Sequence, residues 1–176
     1  IQGYLKILEE KAQRLKTLTE DVVEASKVSS GNISLEWMNV NLVEMLHQTN
    51  GEFAERFGKR NLQVIMKIPE ERIFVRADNR RMWRVFENLF INASKYAMEG
   101  TRIYGDMHVE EGDVVFSLKN ISEHELNISP DELTERFIRG DEASTTEGSG
   151  LGLAMAKSLT ELKGGRFQSP NDGDLY

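Results

Sequence analysis

Residues 1–29 carry apolar side chains at a spacing that only a helix with a partner can satisfy. Leu8, Leu15 and Val22 recur at intervals of seven. A second apolar set falls between them: Leu5, Ala12, Leu18 and Ala25. This heptad spacing predicts one long helix with an apolar seam of the coiled-coil or bundle type. Because such a seam is unstable alone in water, we expect it to pack on another helix or, alternatively, on its own domain.

The helical pattern stops at Ser29-Ser30-Gly31, and small polar residues of this kind mark a domain boundary. We therefore predict two parts, residues 1–31 and residues 32–176. In the second part, apolar periodicity and capping residues predict the order helix, strand, strand, helix, strand, strand, helix, helix. Pairs of strands between helices are typical of an α+β sandwich, with helices layered on a mixed sheet. The expected ranges are 41–57, 62–68, 73–75, 78–97, 101–109, 114–118, a start at Ser129, and 154–162.

Composition removes several classes of function. The chain has 176 residues, a formal net charge of −7 and no cysteine. Thiolate chemistry, disulfides and cysteine-ligated zinc are therefore excluded. The negative field repels nucleic acid backbones, so we expect no nucleic-acid partner. No apolar run approaches the ~18 residues that a membrane span needs, so any membrane attachment would come from segments outside this sequence.

The helix expected at residues 78–97 carries a polar stripe beside its apolar face. Asn88, Asn92 and Lys95 are spaced by four and then three residues, which aligns them on one side of a helix. An Asn carbonyl oxygen can ligate Mg²⁺, and an ammonium group can neutralise a phosphate. A solvated surface stripe is the alternative. The apolar face is expected to consist of Met82, Val85, Phe86, Leu89, Ala93 and Tyr96.

A glycine-rich stretch, Gly148–Leu153, directly precedes the last predicted helix. Glycines let the backbone approach a ligand closely, and the start of a helix offers free amide donors to phosphates. The polar residues 140–147 before it would then form a lid over the ligand. The alternatives are a flexible hinge for the glycines and an ordinary surface loop for the polar stretch.

Taken in order, these motifs resemble those of sensor histidine kinases. Glu87–Tyr96 resembles their N box, Glu135–Arg139 their F box, and Gly148–Leu153 their G2 box. Residues 1–29 are similar to the second helix of their dimerisation hairpin. The resemblance implies a Bergerat-type (GHKL) two-layer sandwich of a mixed sheet and helices, preceded by one long helix. It implies ATP and Mg²⁺ as cofactors, and a kinase that transfers the γ-phosphoryl group to a histidine.

The resemblance also implies roles for individual residues. Asn88, Asn92 and Lys95 would be the catalytic positions, with Asn92 as the magnesium ligand. Lys95 would contact phosphate, and Tyr96 would lie near the adenine. The full set expected to contact the nucleotide is Asn92, Lys95, Tyr96, Asn120, Phe137, Arg139, Gly148, Gly150, Leu151 and Gly152.

One motif of the family is altered in this chain. Where the family carries Asp-x-Gly-x-Gly at the end of a strand, this chain reads Lys119-Asn120-Ile121-Ser122. Asn120 replaces the Asp that reads adenine, and its carbonyl oxygen can still accept from the adenine amino group. Because the amide is neutral, we expect ATP binding to be retained but weakened.

The phosphoacceptor histidine has no counterpart in His47, His108 or His124, none of which lies in a matching motif. The resemblance places it on a hairpin helix ahead of Ile1, so we expect this chain alone not to phosphorylate itself. The family's last strand would fall at about residues 174–176, where we expect an incomplete sheet edge.

Partners are also implied by the resemblance. They are a second copy of the chain, through a four-helix bundle that includes the N-terminal helix, and a cognate response regulator. The expected setting is a cytoplasmic domain of a membrane-anchored sensor.

The sequence leaves two alternatives to a kinase open. The first is another ATPase of the same superfamily, which would carry a catalytic Glu where this chain has Asn88. Glu87 is adjacent in sequence but points about 100° around the helix. The second is a degenerate binding or scaffold module without kinase activity, which the altered strand-end motif suggests.

Overall fold

The computed structural model describes residues 1–122, Thr160 and residues 165–166. The chain divides into two compact units, Ile1–Leu35 and Glu36–Tyr176. None of the described helices is both long and apolar enough to cross a bilayer.

The first unit is the predicted long helix. Helix α1 spans Gln2–Ser30, a length of roughly 43 Å at 1.5 Å per residue. Gly31 ends it with a φ of 70°, and the Asn32 amide donates to the Lys27 carbonyl at 3.1 Å. This bond pattern is a Schellman cap, which needs a left-handed residue at the glycine position. The apolar seam lies open to solvent, with Leu8 62% and Leu15 64% exposed.

The second unit begins with a strand that the sequence analysis missed. Strand β1, Trp37–Asn41, pairs antiparallel with β3, Phe74–Asp78. The register sets Trp37 against Asp78. In β1 only Val40 is buried, so its five residues lack the alternation that reveals a half-buried strand.

A second sheet has three strands in the order β2-β4-β5. Strand β2, Gln63–Lys67, runs parallel to β4, Arg102–Glu110, which pairs antiparallel with β5, Asp113–Asn120. The expected mixed sheet is therefore confirmed. The turn between β4 and β5 uses Glu111 and Gly112 at φ values of 52° and 89°. Two consecutive positive φ values indicate a type I′ turn, whose twist matches that of the strands.

Two helices of this unit start within one residue of their predicted positions. Helix α2, Leu42–Gly58, begins after Asn41, whose side chain accepts from the Glu44 amide at 3.2 Å. Helix α3, Asn79–Tyr96, begins after Asp78, whose side chain accepts from the Arg81 amide at 3.1 Å. Each cap satisfies an amide that the first helical turn leaves without a partner.

The core forms where α2 and α3 meet. Phe90 is fully buried, and its ring lies 5.6 Å from that of Phe53 and 6.0 Å from that of Phe57. The predicted apolar face of α3 was partly wrong, because Phe90 belongs to the core and Leu89 is only half-buried. The buried side chains α3 contributes are Arg81, Val85, Phe86, Asn88, Phe90, Ala93 and Ser94. Their spread around the axis shows that α3 is covered on more than one face.

Candidate functional site

The predicted polar stripe lies along the second half of α3. Asn88 is 4% exposed, Asn92 is half-buried and Lys95 is exposed. Asn88 is rotated roughly 200° from Phe86 about the helix axis, so the stripe faces away from the aromatic core. The stripe therefore runs from a buried amide to an exposed ammonium group within about two turns of helix.

Asn120 ends β5 on the side of the strand that faces α3. Side chains alternate along a strand, so Asn120 shares its face with Phe116 and Leu118, which pack on the core. The Phe116 ring meets that of Phe86 on α3 edge-on at 5.1 Å. Asn120 is itself only 2% exposed. A polar amide thus occupies the last position of an otherwise apolar row.

The chain after Asn120 is hydrogen-bonded to the end of α3. The Met98 amide donates to the Ile121 carbonyl at 2.7 Å, and Ala97 forms an antiparallel bridge with Ser122. The structure therefore brings the end of β5 together with the end of α3 that carries Lys95. Two features far apart in sequence meet in one region of the fold.

Two buried amide groups in this part of the molecule have an unused donor. Among the described residues, the Nδ2 atoms of Asn88 and Asn120 are buried and have no hydrogen-bond partner. Most buried polar groups in proteins are paired, and leaving one unpaired costs about 1–3 kcal/mol. A bound ligand that accepts hydrogen bonds would supply the missing partners.

The beginning of α3 is held by a closed network around Asp78. Its carboxylate accepts from the Arg81 guanidinium at 2.8 Å and from the Glu36 amide at 3.0 Å. Burial by itself raises the pKa of Asp78, but the hydrogen bonds from Glu36 and Arg81 and the charge of Arg81 outweigh it. The pKa of Asp78 therefore lies below its usual value. This network fixes the position from which the stripe extends.

The end of α3 is capped by a side chain that the sequence analysis did not single out. Arg60 donates through Nη1 to the carbonyl of Ser94 at 2.6 Å and to that of Lys95 at 3.0 Å. A cation at the end of a helix satisfies its free carbonyls and is favoured by the helix dipole. Since Arg60 is more than 30 residues away in sequence, no local pattern could have indicated this cap.

Tyr96 is the last residue of α3 and is half-buried. Burial raises the pKa of its hydroxyl, so the phenol stays neutral at physiological pH. A neutral ring at this point can offer an apolar surface to a planar ligand.

Several predicted features lie outside the described residues. They are the residues 140–147, the Gly148–Leu153 stretch, most of the last predicted helix, and the strand expected at 174–176. Thr160 is helical, and its carbonyl accepts from the Gly165 amide at 3.0 Å. The predicted nucleotide contacts that fall there are Phe137, Arg139, Gly148, Gly150, Leu151 and Gly152.

A protein family matches more than half of the chain. Residues 77–174 match the family described as histidine kinase-, DNA gyrase B-, and HSP90-like ATPase. The chain belongs to this ATPase family. Membership makes ATP the nucleotide of the ATPase domain and confirms the expected Bergerat-type α+β sandwich.

Curated relatives of the ATPase domain are sensor proteins, which confirms the resemblance to sensor histidine kinases. The sensor protein VanS of Enterococcus faecium is 32% identical over 175 residues, covering 96% of this chain and 44% of that protein. The sensor protein KdpD of Clostridium acetobutylicum is 30% identical over 171 residues, covering 93% of this chain and 18% of that protein. The chain thus spans less than half the length of these relatives.

Solved structures show the same fold. The Acinetobacter baumannii histidine kinase AdeS superposes with a TM-score of 0.75 at 19% identity, covering 97% of this chain and 79% of that chain. The catalytic domain of the histidine kinase ThkA superposes with a TM-score of 0.65 at 27% identity, covering 80% of this chain and 92% of that chain.

The ATPase domain holds the one acidic residue of α3 in an ion pair. Glu87 accepts from the Arg84 guanidinium at 2.9 Å, and both side chains are partly buried. A carboxylate engaged in this way is poorly placed to take a proton from water.

Proposed function

We propose that this domain binds MgATP through the stripe of α3 and the end of β5, and transfers the γ-phosphoryl group to a histidine of a two-component sensor. The observation that carries the proposal is the pair of buried Nδ2 donors, on Asn88 and Asn120, that have no partner among the described residues. Both belong to the elements that the family match includes. The relatives are named sensor proteins, which supports a signalling role over a housekeeping ATPase.

The residues present fit a magnesium ion that arrives with the nucleotide. No group of three or more His, Asp and Glu able to hold a metal occurs among the described residues. Mg²⁺ commonly binds through few protein ligands together with substrate phosphates. Asn92 would supply an oxygen ligand, and the Lys95 ammonium would face the phosphates. The buried Asn88 donor would bond a phosphate oxygen or a water. When bound, the ion would neutralise charge on the phosphate chain.

Transfer is favoured over hydrolysis by the contacts of α3. The position of a hydrolytic Glu is taken by Asn88, an amide that cannot act as a general base. Glu87 is paired with Arg84 at 2.9 Å. Without a base for water on α3, the contribution of this helix is to position the nucleotide and stabilise its charge, which is what phosphoryl transfer chiefly requires.

The remaining assignments extend this proposal. Tyr96 and Asn120 would contact the base, and Phe137 and Arg139 would approach it from the lid. Backbone amides of the glycine-rich stretch, Gly148, Gly150, Leu151 and Gly152, would bind the phosphates. Residues 1–31 would form the second helix of a dimerisation hairpin, and 32–176 the catalytic domain.

The partners proposed are a second copy and a response regulator. The open seam of α1, with Leu8 and Leu15 more than half exposed, fits a bundle with helices of the dimerisation hairpin and of a second copy. A response regulator would receive the phosphoryl group. The domain would work in the cytoplasm, attached to a membrane through other parts of the sensor.

The test is calorimetry with Mg²⁺ and a non-hydrolysable ATP analogue, followed by a phosphohistidine assay with the dimerisation hairpin supplied in trans. We expect Asn92→Ala to reduce transfer by about 10²–10³-fold, since it removes the oxygen that would hold the magnesium ion on the phosphates. Asn39→Ala, an exposed amide on β1, is the matched control and should leave transfer unchanged. Absence of heat at millimolar nucleotide with a folded protein would contradict the proposal.

A further inference from the structure

Asn120 differs in its hydrogen-bonding chemistry from the residue that the family resemblance places there. An Asp carboxylate only accepts hydrogen bonds, whereas the side-chain amide of Asn both donates and accepts. The 6-amino group of adenine is a donor, so a carboxylate pairs with it and repels a base that carries an oxygen at position 6. A neutral amide does not distinguish a 6-amino base from a 6-oxo base by charge.

The geometry of Asn120 favours the donating side of that amide. The side chain is 2% exposed at the end of β5, and its Nδ2 atom has no partner among the described residues. A buried donor is satisfied only by an acceptor. The 6-oxo oxygen of hypoxanthine or guanine is an acceptor, while the 6-amino group of adenine is not the partner that Nδ2 lacks.

We propose that the base site accepts 6-oxopurine nucleoside triphosphates alongside ATP. The inference rests on the proposed function, because it requires that a nucleotide bind at this site. A 6-oxopurine would take a hydrogen bond from Nδ2 of Asn120. Adenine would be held by the same side chain with its amide turned over, so that Oδ1 accepts from the 6-amino group. Neither arrangement buries an unpaired charge.

The experiment is calorimetry on the full chain with Mg²⁺ and non-hydrolysable triphosphates of adenosine and inosine. Inosine carries a 6-oxo group without the 2-amino group of guanosine, so it isolates the position that Asn120 would read. We expect the two affinities to lie within about tenfold of each other. In Asn120→Asp, which restores the acceptor-only side chain, we expect a preference for adenosine of roughly a hundredfold or more. Thermal unfolding of the variant checks that it folds.

Each outcome separates this inference from the proposed function. If the natural chain binds the adenosine analogue but binds the inosine analogue more than about a hundredfold more weakly, the inference is overturned and the kinase proposal stands. If neither analogue binds, the proposed function itself fails. If folded Asn120→Asp discriminates no better than the natural chain, Asn120 does not read the base. The comparison within the natural chain decides the matter even if the variant does not fold.

Discussion

The buried polar groups at the two ends of the α3 region differ in whether they form hydrogen bonds. At the start of the helix, the Asp78 carboxylate is fully engaged by Arg81 and by the Glu36 amide. In the second half, and at the end of β5 beside it, Asn88 and Asn120 each bury a donor that has no partner in the part of the chain that the structure describes. Closed networks of the first kind stabilise a fold, whereas open positions of the second kind reduce its stability. The comparison supports our proposal that the first end holds the helix and that the other receives a ligand.

The largest expected effect on stability comes from removing Asp78, which holds the start of α3. Asp78→Ala removes the helix cap, the acceptor of the Glu36 amide and the ion pair with the Arg81 guanidinium, whose side chain is 10% exposed. We expect the free energy of unfolding to fall by about 3–5 kcal/mol, as it does when one member of a buried ion pair is removed. Urea unfolding measures this. Asp78→Asn keeps a capping oxygen, so it should lose less.

The same variant has a defined pH dependence. The folded-state pKa of Asp78 lies below its unfolded value of 3.8. The carboxylate therefore contributes stability above pH 3.8, and this contribution is lost as the pH falls through the folded-state pKa. The difference between the natural chain and Asp78→Ala should shrink in acid. An equal difference at neutral and strongly acidic pH would show that the ion pair is not its source.

A smaller effect on stability, of opposite sign, is expected from replacing Asn88 in the second half of α3. Asn88→Leu replaces an unpaired buried amide by an apolar side chain of similar size. We expect the nucleotide-free domain to gain up to about 1–3 kcal/mol of stability, with a Tm higher by several degrees. Calorimetry should show that nucleotide binding is lost at the same time. A variant that melts lower than the natural chain would show that Asn88 is already satisfied, and the contrast between the two ends would fail.

The smallest effect on stability is expected at the exposed hydrogen bond between His108 and Asp106, where water can replace either partner. His108 Nδ1 lies 2.6 Å from Asp106 Oδ1, and this hydrogen bond raises the pKa of His108 above 6.5. Its contribution to stability is therefore full below pH 6.5 and disappears as the pH rises through the folded-state pKa. His108→Gln should be slightly less stable than the natural chain in weak acid and equal to it in alkali, by urea unfolding. Added salt should reduce the difference, since both side chains are substantially exposed.

Features that depend on neighbours within one or two turns could be predicted from the sequence. The three described helices, the cap at Asp78, the β4–β5 hairpin and the stripe of Asn88, Asn92 and Lys95 all follow from local spacing. The reason is physical: periodicity of side chains and capping of free amides involve residues within about four positions of each other. The family resemblance came from the same local motifs.

Tertiary structure alone decided the pairing of distant parts. The β1 strand exists because β3 pairs with it, and Arg60 caps α3 from 34 residues away. The sequence predicted Asn88 and Asn120 as site residues, but it could not indicate that both would be buried, each with a donor that has no partner among the residues described. Burial depends on which elements pack together, and the free energy of packing belongs to contacts between distant residues rather than to any segment by itself.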